Sequence, residues 1–105
     1  MFDFELSAGG RELTIRVGGD KFDITLAPEF RRQVEAEWKD GITQASIDFT
    51  SVDFIDSSGV GALVSVHKRV APHGGALKIV NPGPAVTSVI ELLRLHRVFD
   101  LVDRS

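Results

Sequence analysis

Apolar residues in this chain switch repeatedly between alternate-residue spacing and helical spacing, and that switching is what most restricts the folds open to it. Leu13, Ile15 and Val17 alternate with polar residues and run into Gly18-Gly19-Asp20, after which Phe22 and Ile24 resume the alternation. This predicts a hairpin. From Pro28 the period changes: Phe30, Val34 and Trp38 recur every four residues until Gly41 stops the run, which predicts an amphipathic helix with Pro28 in its first turn. A core strand follows at 45–49, on Ala45, Ile47 and Phe49, with Val52, Phe54 and Ile55 leading on toward Asp56. Val60, Leu63, Val64 and Val70 then keep helical spacing until Pro72 and Gly74-Gly75 break it, so a second helix starts at or just after Ser57-Ser58. Leu77, Ile79 and Val80 form a further strand, closed by a turn at Asn81-Pro82-Gly83-Pro84. Val86, Val89, Ile90 and Leu93 make a third helix, and Phe99, Leu101 and Val102 a last strand or a docked tail.

Helices alternating with single strands require right-handed crossovers and a sheet that is parallel in its second half. The expected fold is therefore α/β: one domain over residues 1–105, a mixed four- to five-stranded sheet with an N-terminal hairpin, and three main helices. With 105 residues there is room for one core only.

Composition narrows the function classes. The chain has no cysteine, which removes disulfides, thiolate catalysis and zinc sites of the Cys type. Asp3 and Glu5 stand where a secretory signal would carry positive charge, and every apolar segment is interrupted well short of the roughly 20 residues a membrane helix needs. A soluble, cytoplasmic protein without membrane insertion is expected. Net charge is −3, and the basic pairs Arg31-Arg32 and Lys68-Arg69 are scattered among acids, which disfavours nucleic acid as a partner. Such pairs read as solvated helix faces, with a partner-facing basic patch as the alternative.

The stretch Asp53-Phe54-Ile55-Asp56-Ser57-Ser58-Gly59-Val60-Gly61 passes from a strand end into a helix start, the position where open α/β sheets do their work. Ser57 or Ser58 is placed to cap the helix, its hydroxyl accepting from N–H groups the first turn leaves unpaired. The same free N–H groups and the positive end of the helix dipole would also tolerate an added phosphate. Gly59 and Gly61 strip side chains from the first turn and admit another backbone. Val60 is either an exposed apolar contact or a core residue by its helical spacing. Capping is the commoner role of such serines, so spacing alone does not make either one a phosphorylation site.

Ile55-Asp56-Ser57-Ser58-Gly59-Val60-Gly61 resembles the signature of the STAS domain family, and closely that of its anti-sigma factor antagonist branch. Gly19-Asp20-Lys21-Phe22-Asp23, with Ala27-Pro28 and Phe30, is similar to the family's early Gly-x-x-Asp segment, with one extra residue between Gly and Asp. Residues 47–52 resemble the strand before the signature, and 75–84 the Gly-rich turn, strand and Asn-Pro end. The resemblance implies a partner switch. The serine directly after the signature Asp, Ser57 by position with Ser58 as second choice, is phosphorylated by a partner that is both anti-sigma factor and serine kinase. The unphosphorylated form binds that kinase and frees the sigma factor; the phosphorylated form lets go until a serine phosphatase restores it. Asp23, Asp56, Ser58, Gly59, Val60 and Gly61 are the expected partner-binding residues. Asp23 read without the resemblance is a turn acid, and Asp56 a residue bonding the helix start. ATP and Mg2+ belong to the kinase, so no cofactor, metal or catalytic residue is expected in this chain.

Two rival classes are weaker. An enzyme would use Ser57 or Ser58 as nucleophile with His67, His73 or His96 as base. Gly-x-Ser-x-Gly is missing, and His67 lies two to three helical turns past the serines. The histidines instead read as surface or boundary residues without metal spacing. A nucleotide site is disfavoured by the absence of both phosphate-loop patterns. Within the same fold, a structural STAS subunit of a lipid-transport or stress-signalling complex is the alternative reading.

Overall fold

The computed structural model describes residues 2–104. Its main sheet has five strands in the order β1 (Phe2–Leu6), β2 (Glu12–Val17), β4 (Gln44–Asp48), β6 (Leu77–Val80) and β7 (Asp100–Val102). Only β1 and β2 are antiparallel; every other pair in the sheet is parallel. Helices α1 (Ala27–Glu37), α2 (Ser57–Val70) and α3 (Pro84–Leu92) make the crossovers, and two further short strands, β3 (Lys21–Phe22) and β5 (Phe54–Ile55), pair with each other in parallel. The expected α/β fold, with its mixed sheet and three helices, is the observed one.

The N-terminal hairpin exists, but between other strands than the predicted ones. Phe2, Phe4 and Leu6 alternate with Asp3 and Glu5 to form β1, which pairs Phe2 with Val17 and Leu6 with Leu13. The segment after Gly18-Gly19-Asp20 does not fold back on β2; Phe22 pairs with Ile55 instead, and Ile24 lies outside any strand. The reason is burial: Phe22 sits wholly inside, its ring edge-on to Phe30 at 4.9 Å and tilted against Phe49 at 5.2 Å. Reaching that pocket takes the chain off the sheet edge and down to the start of α1.

Period-two burial in β2 places Leu13, Ile15 and Val17 in the core with Phe30 and Val34 of α1 and Leu63, Val66 and Val70 of α2. The opposite face of the sheet is a polar ladder. There Ser46 Oγ donates to Glu12 Oε2 at 2.8 Å, and Arg16 pairs with Glu5 at 3.1 Å. α1 ends earlier than predicted, at Glu37, with Trp38 extended but its N–H still on Val34 O at 2.9 Å. Pro84 opens α3 as its first residue, where the missing N–H costs nothing.

Parallel strands put their carboxyl ends, and the loops after them, along one edge. Hydrogen bonds knit those loops together. Ser51 Oγ donates to Val17 O at 2.9 Å, Asp53 N to Asp20 O at 2.9 Å, and Asn81 Nδ2 to Thr50 Oγ1 at 3.0 Å. Because β3 precedes α1 and β5 precedes α2, their pairing holds the starts of both helices side by side on that edge.

Candidate functional site

Asp56 is the N-cap of α2. Its backbone is extended, Oδ1 accepts from Gly59 N–H at 2.9 Å, and its carbonyl accepts from Val60 N–H at 3.0 Å. Oδ2 reaches across to the turn before α1 and accepts from Ile24 N–H at 3.0 Å. The expectation that Ser57 or Ser58 caps the helix is therefore corrected: Ser57 is the first helical residue, and the cap lies one position earlier. The two carboxylate oxygens serve one segment each, Oδ1 the helix and Oδ2 the turn before α1, where a serine would have a single, shorter-reaching oxygen for both. Ser57 is left exposed, and Ser58 is half-buried.

Asp23, the other acid of this edge, closes its own turn. Its Oδ1 accepts from Thr25 N–H at 3.0 Å, and its carbonyl accepts from Leu26 and Ala27 N–H at 3.0 and 2.8 Å. It shapes the loop that Asp56 holds, so both acids make the local contacts their sequence positions suggested and both remain on the same edge as Ser57.

The two glycines have separate reasons. A Cβ at Gly59 would stand 2.1 Å from Phe22 O, so β3 crosses directly over the first turn of α2 and nothing larger fits. A Cβ at Gly61 would meet only the tip of Arg31, Nη2, at 2.9 Å. Val60 is corrected from an exposed contact to a core residue: it is 8% exposed and packs into the main cluster, as its helical spacing allowed.

Two residues the sequence reading missed give this edge its apolar character. Ile24 is 66% exposed and Phe54 47% exposed, on the two segments that flank the start of α2. Period two was the available signal for Phe54, since Ile55 faces inward and its neighbour must face out. Ile24 carried no such signal, because the predicted hairpin assigned it an inward position.

On α1, Glu29 is held below the usual carboxylate range, first by the hydrogen bond from Arg32 and then by that from Gln33. The Arg32 guanidinium is raised in turn by Glu29, so this member of the Arg31-Arg32 pair is committed within its own helix. Of the histidines, His67 packs edge-on against Phe99 at the core boundary, while His73 and His96 are exposed on short 3-10 turns. His67 follows Ser57 by ten positions on α2, about 15 Å along the axis at 1.5 Å per residue, too far to share a proton. Among the described residues no helix is long and apolar enough to cross a membrane.

Comparison with known proteins places these features in a family. The model of the STAS domain matches residues 5–105. A STAS-domain-containing protein of Pseudomonas aeruginosa is 26% identical over 97 residues, covering 90% of this chain and 92% of the relative. The anti-sigma-B factor antagonist of Bacillus subtilis is 24% identical over 94 residues, covering 90% of this chain and 84% of its own. Among solved structures, the anti-sigma factor antagonist SpoIIAA in its unphosphorylated form superposes with a TM-score of 0.82 at 24% identity, covering 100% of this chain and 89% of that one. The phosphorylated form of SpoIIAA, described as a Bacillus cell fate determinant, superposes with a TM-score of 0.76 at 22% identity, over 100% and 92%. At these identities the structural likeness is one of fold.

Proposed function

This chain belongs to the STAS domain family, and from that premise we propose that it is an anti-sigma factor antagonist controlled by phosphorylation of Ser57. The unphosphorylated chain binds an anti-sigma factor serine kinase in the cytoplasm and releases the sigma factor; the phosphorylated chain dissociates, and a serine phosphatase resets it. The chain is the kinase's substrate and performs no catalysis itself.

One observation carries the reading: Ser57 is exposed on the first turn of α2 while Asp56, not the serine, holds the cap. Its hydroxyl is spared for chemistry at no cost to the fold, whereas Ser58 is half-buried. In the transfer, Ser57 Oγ attacks the γ-phosphorus of ATP and gives its proton to the kinase's base as ADP leaves. Two exposed apolar residues on neighbouring segments suit a partner surface: Phe54, three residues before the acceptor, and Ile24, whose N–H is bonded to Asp56.

Release follows from charge. A phosphoserine brings about −1.5 to −2 charges into a contact whose neighbour, Asp56, is already an acid fixed by two N–H groups. Both charges belong to this chain, so what binding adds is the loss of water around them; burying charge the partner does not pair costs several kcal/mol, and each ~1.4 kcal/mol is tenfold in affinity. One phosphate is thus enough to empty the complex without refolding either partner.

The test is to incubate the purified protein with ATP and the anti-sigma kinase encoded beside it, and to map added phosphate by mass spectrometry. A single phosphate on Ser57 with loss of the complex supports the switch. Phosphate on Ser58 would move the site. A stable complex that never acquires phosphate would replace this reading with that of a structural STAS subunit.

A further inference from the structure

Arg31 and Gly61 are remote in sequence, yet the position a side chain would fill at Gly61 lies 2.9 Å from Arg31 Nη2. The guanidinium rests in the notch that the missing side chain leaves. It stands at one end of a cleft of about 340 Å3 between α1 and α2, lined further by Val34, Glu35, Ser65, Lys68 and Arg69. The two helices run parallel along this cleft: Arg31 meets Gly61, and farther on Glu35 pairs with Arg69, whose guanidinium lies 5.2 Å from the Trp38 ring centre.

Ser57 precedes Gly61 by four residues on α2, so the two positions share a face, with Cβ atoms about 5–6 Å apart. Helical side chains lean toward the start of their own helix. The tip of Arg31 therefore stands at the level of Gly61, about one helical turn past Ser57. Other arginines nearby are engaged, Arg32 by Glu29 and Arg69 by Glu35. Among the described residues Arg31 makes no ion pair.

We propose that Arg31 receives the phosphate once Ser57 is phosphorylated, its guanidinium pairing with the phosphate oxygens across the notch at Gly61. This rests on Ser57 being the modified residue. Guanidinium and phosphate match as a planar fork on adjacent oxygens, and the long, mobile arginine side chain covers the remaining distance. The other charges near the start of α2 are the acids Asp56, Asp53 and Asp23 and one cation, Lys21, whose position in β3 pairs with Phe54. The start of α2 tolerates the added charge but does not orient it; with Arg31 the phosphate is held at the surface in one orientation, where a phosphatase meets it.

The experiment installs phosphoserine at position 57 during synthesis and follows its 31P resonance against pH. A neighbouring cation favours the dianion and lowers its second pKa; the acids raise it. Arg31→Gln is expected to raise that pKa by about half a unit or more, Arg31→Lys to recover part of the difference, and Gly61→Val, which fills the notch but keeps Arg31, to raise it as well. Superimposable titrations of the parent and Arg31→Gln proteins would overturn the proposal. Because the phosphate is placed during synthesis, the result is independent of any kinase. Failure of a kinase to modify Ser57 sinks the switch, whereas superimposable curves sink only the role of Arg31.

Discussion

Asp56 divides its carboxylate between Gly59 N–H and Ile24 N–H, and this one side chain explains why the neighbouring serine is free. Asp56→Asn isolates the second contact. The amide oxygen still caps α2, but the nitrogen then faces the Ile24 N–H, donor against donor. We expect a loss of about 1–3 kcal/mol in urea unfolding with faster amide exchange at Ile24; unchanged exchange there would mean the tether contributes nothing. Gly59→Ala is expected to be worse, because its Cβ would be driven to 2.1 Å from the Phe22 carbonyl, which is backbone and cannot turn aside. A loss of about 3 kcal/mol or more is expected, visible as a lowered melting temperature. A fully stable Gly59→Ala protein would show that β3 does not lie where it is described. At this scale the sequence placed Asp56 at the helix start but gave the cap to Ser57 or Ser58. Asp, Ser and Ser in succession are all good caps, and only the approach of Ile24 from another segment decides among them.

At the scale of elements, helix periodicity was the most legible signal. All three helices stand where apolar spacing put them, with boundaries moved by a few residues at Trp38 and Pro84. Strand pairing was the least legible. Alternation at Leu13, Ile15 and Val17 reveals a half-buried strand but not its partner, and Gly18-Gly19-Asp20 reads as a reversal whether or not the chain turns back. β3 and β5 are two residues each, too short to carry a period, and their pairing is set by the burial of Phe22 and Ile55. That pairing brings the segments of Ile24 and Phe54 to the start of α2. Replacing both with Ser should lower melting by several degrees, because Phe54 is only 47% exposed, while leaving the protein folded, and weaken binding of the kinase at least tenfold in a calorimetric titration. Undiminished affinity would place the partner on another surface.

For the whole molecule, the architecture separates the core from the edge to which the proposed switch is assigned. The sheet and the inner faces of α1 and α2 carry the core. One edge carries Asp23, Asp56 and the start of α2 at Ser57; there the Asp56 carboxylate accepts from Ile24 N–H and the Asp23 carboxylate from Thr25 N–H. A phosphate at Ser57 adds charge at this edge without entering the core, so the fold need not change for binding to change. The measurement that tests this most directly is the affinity of the protein for its anti-sigma kinase with Ser57 unmodified and with phosphoserine at that position. We predict at least a hundredfold weaker binding of the phosphorylated protein, with melting temperatures close to one another. Equal affinities would contradict the account.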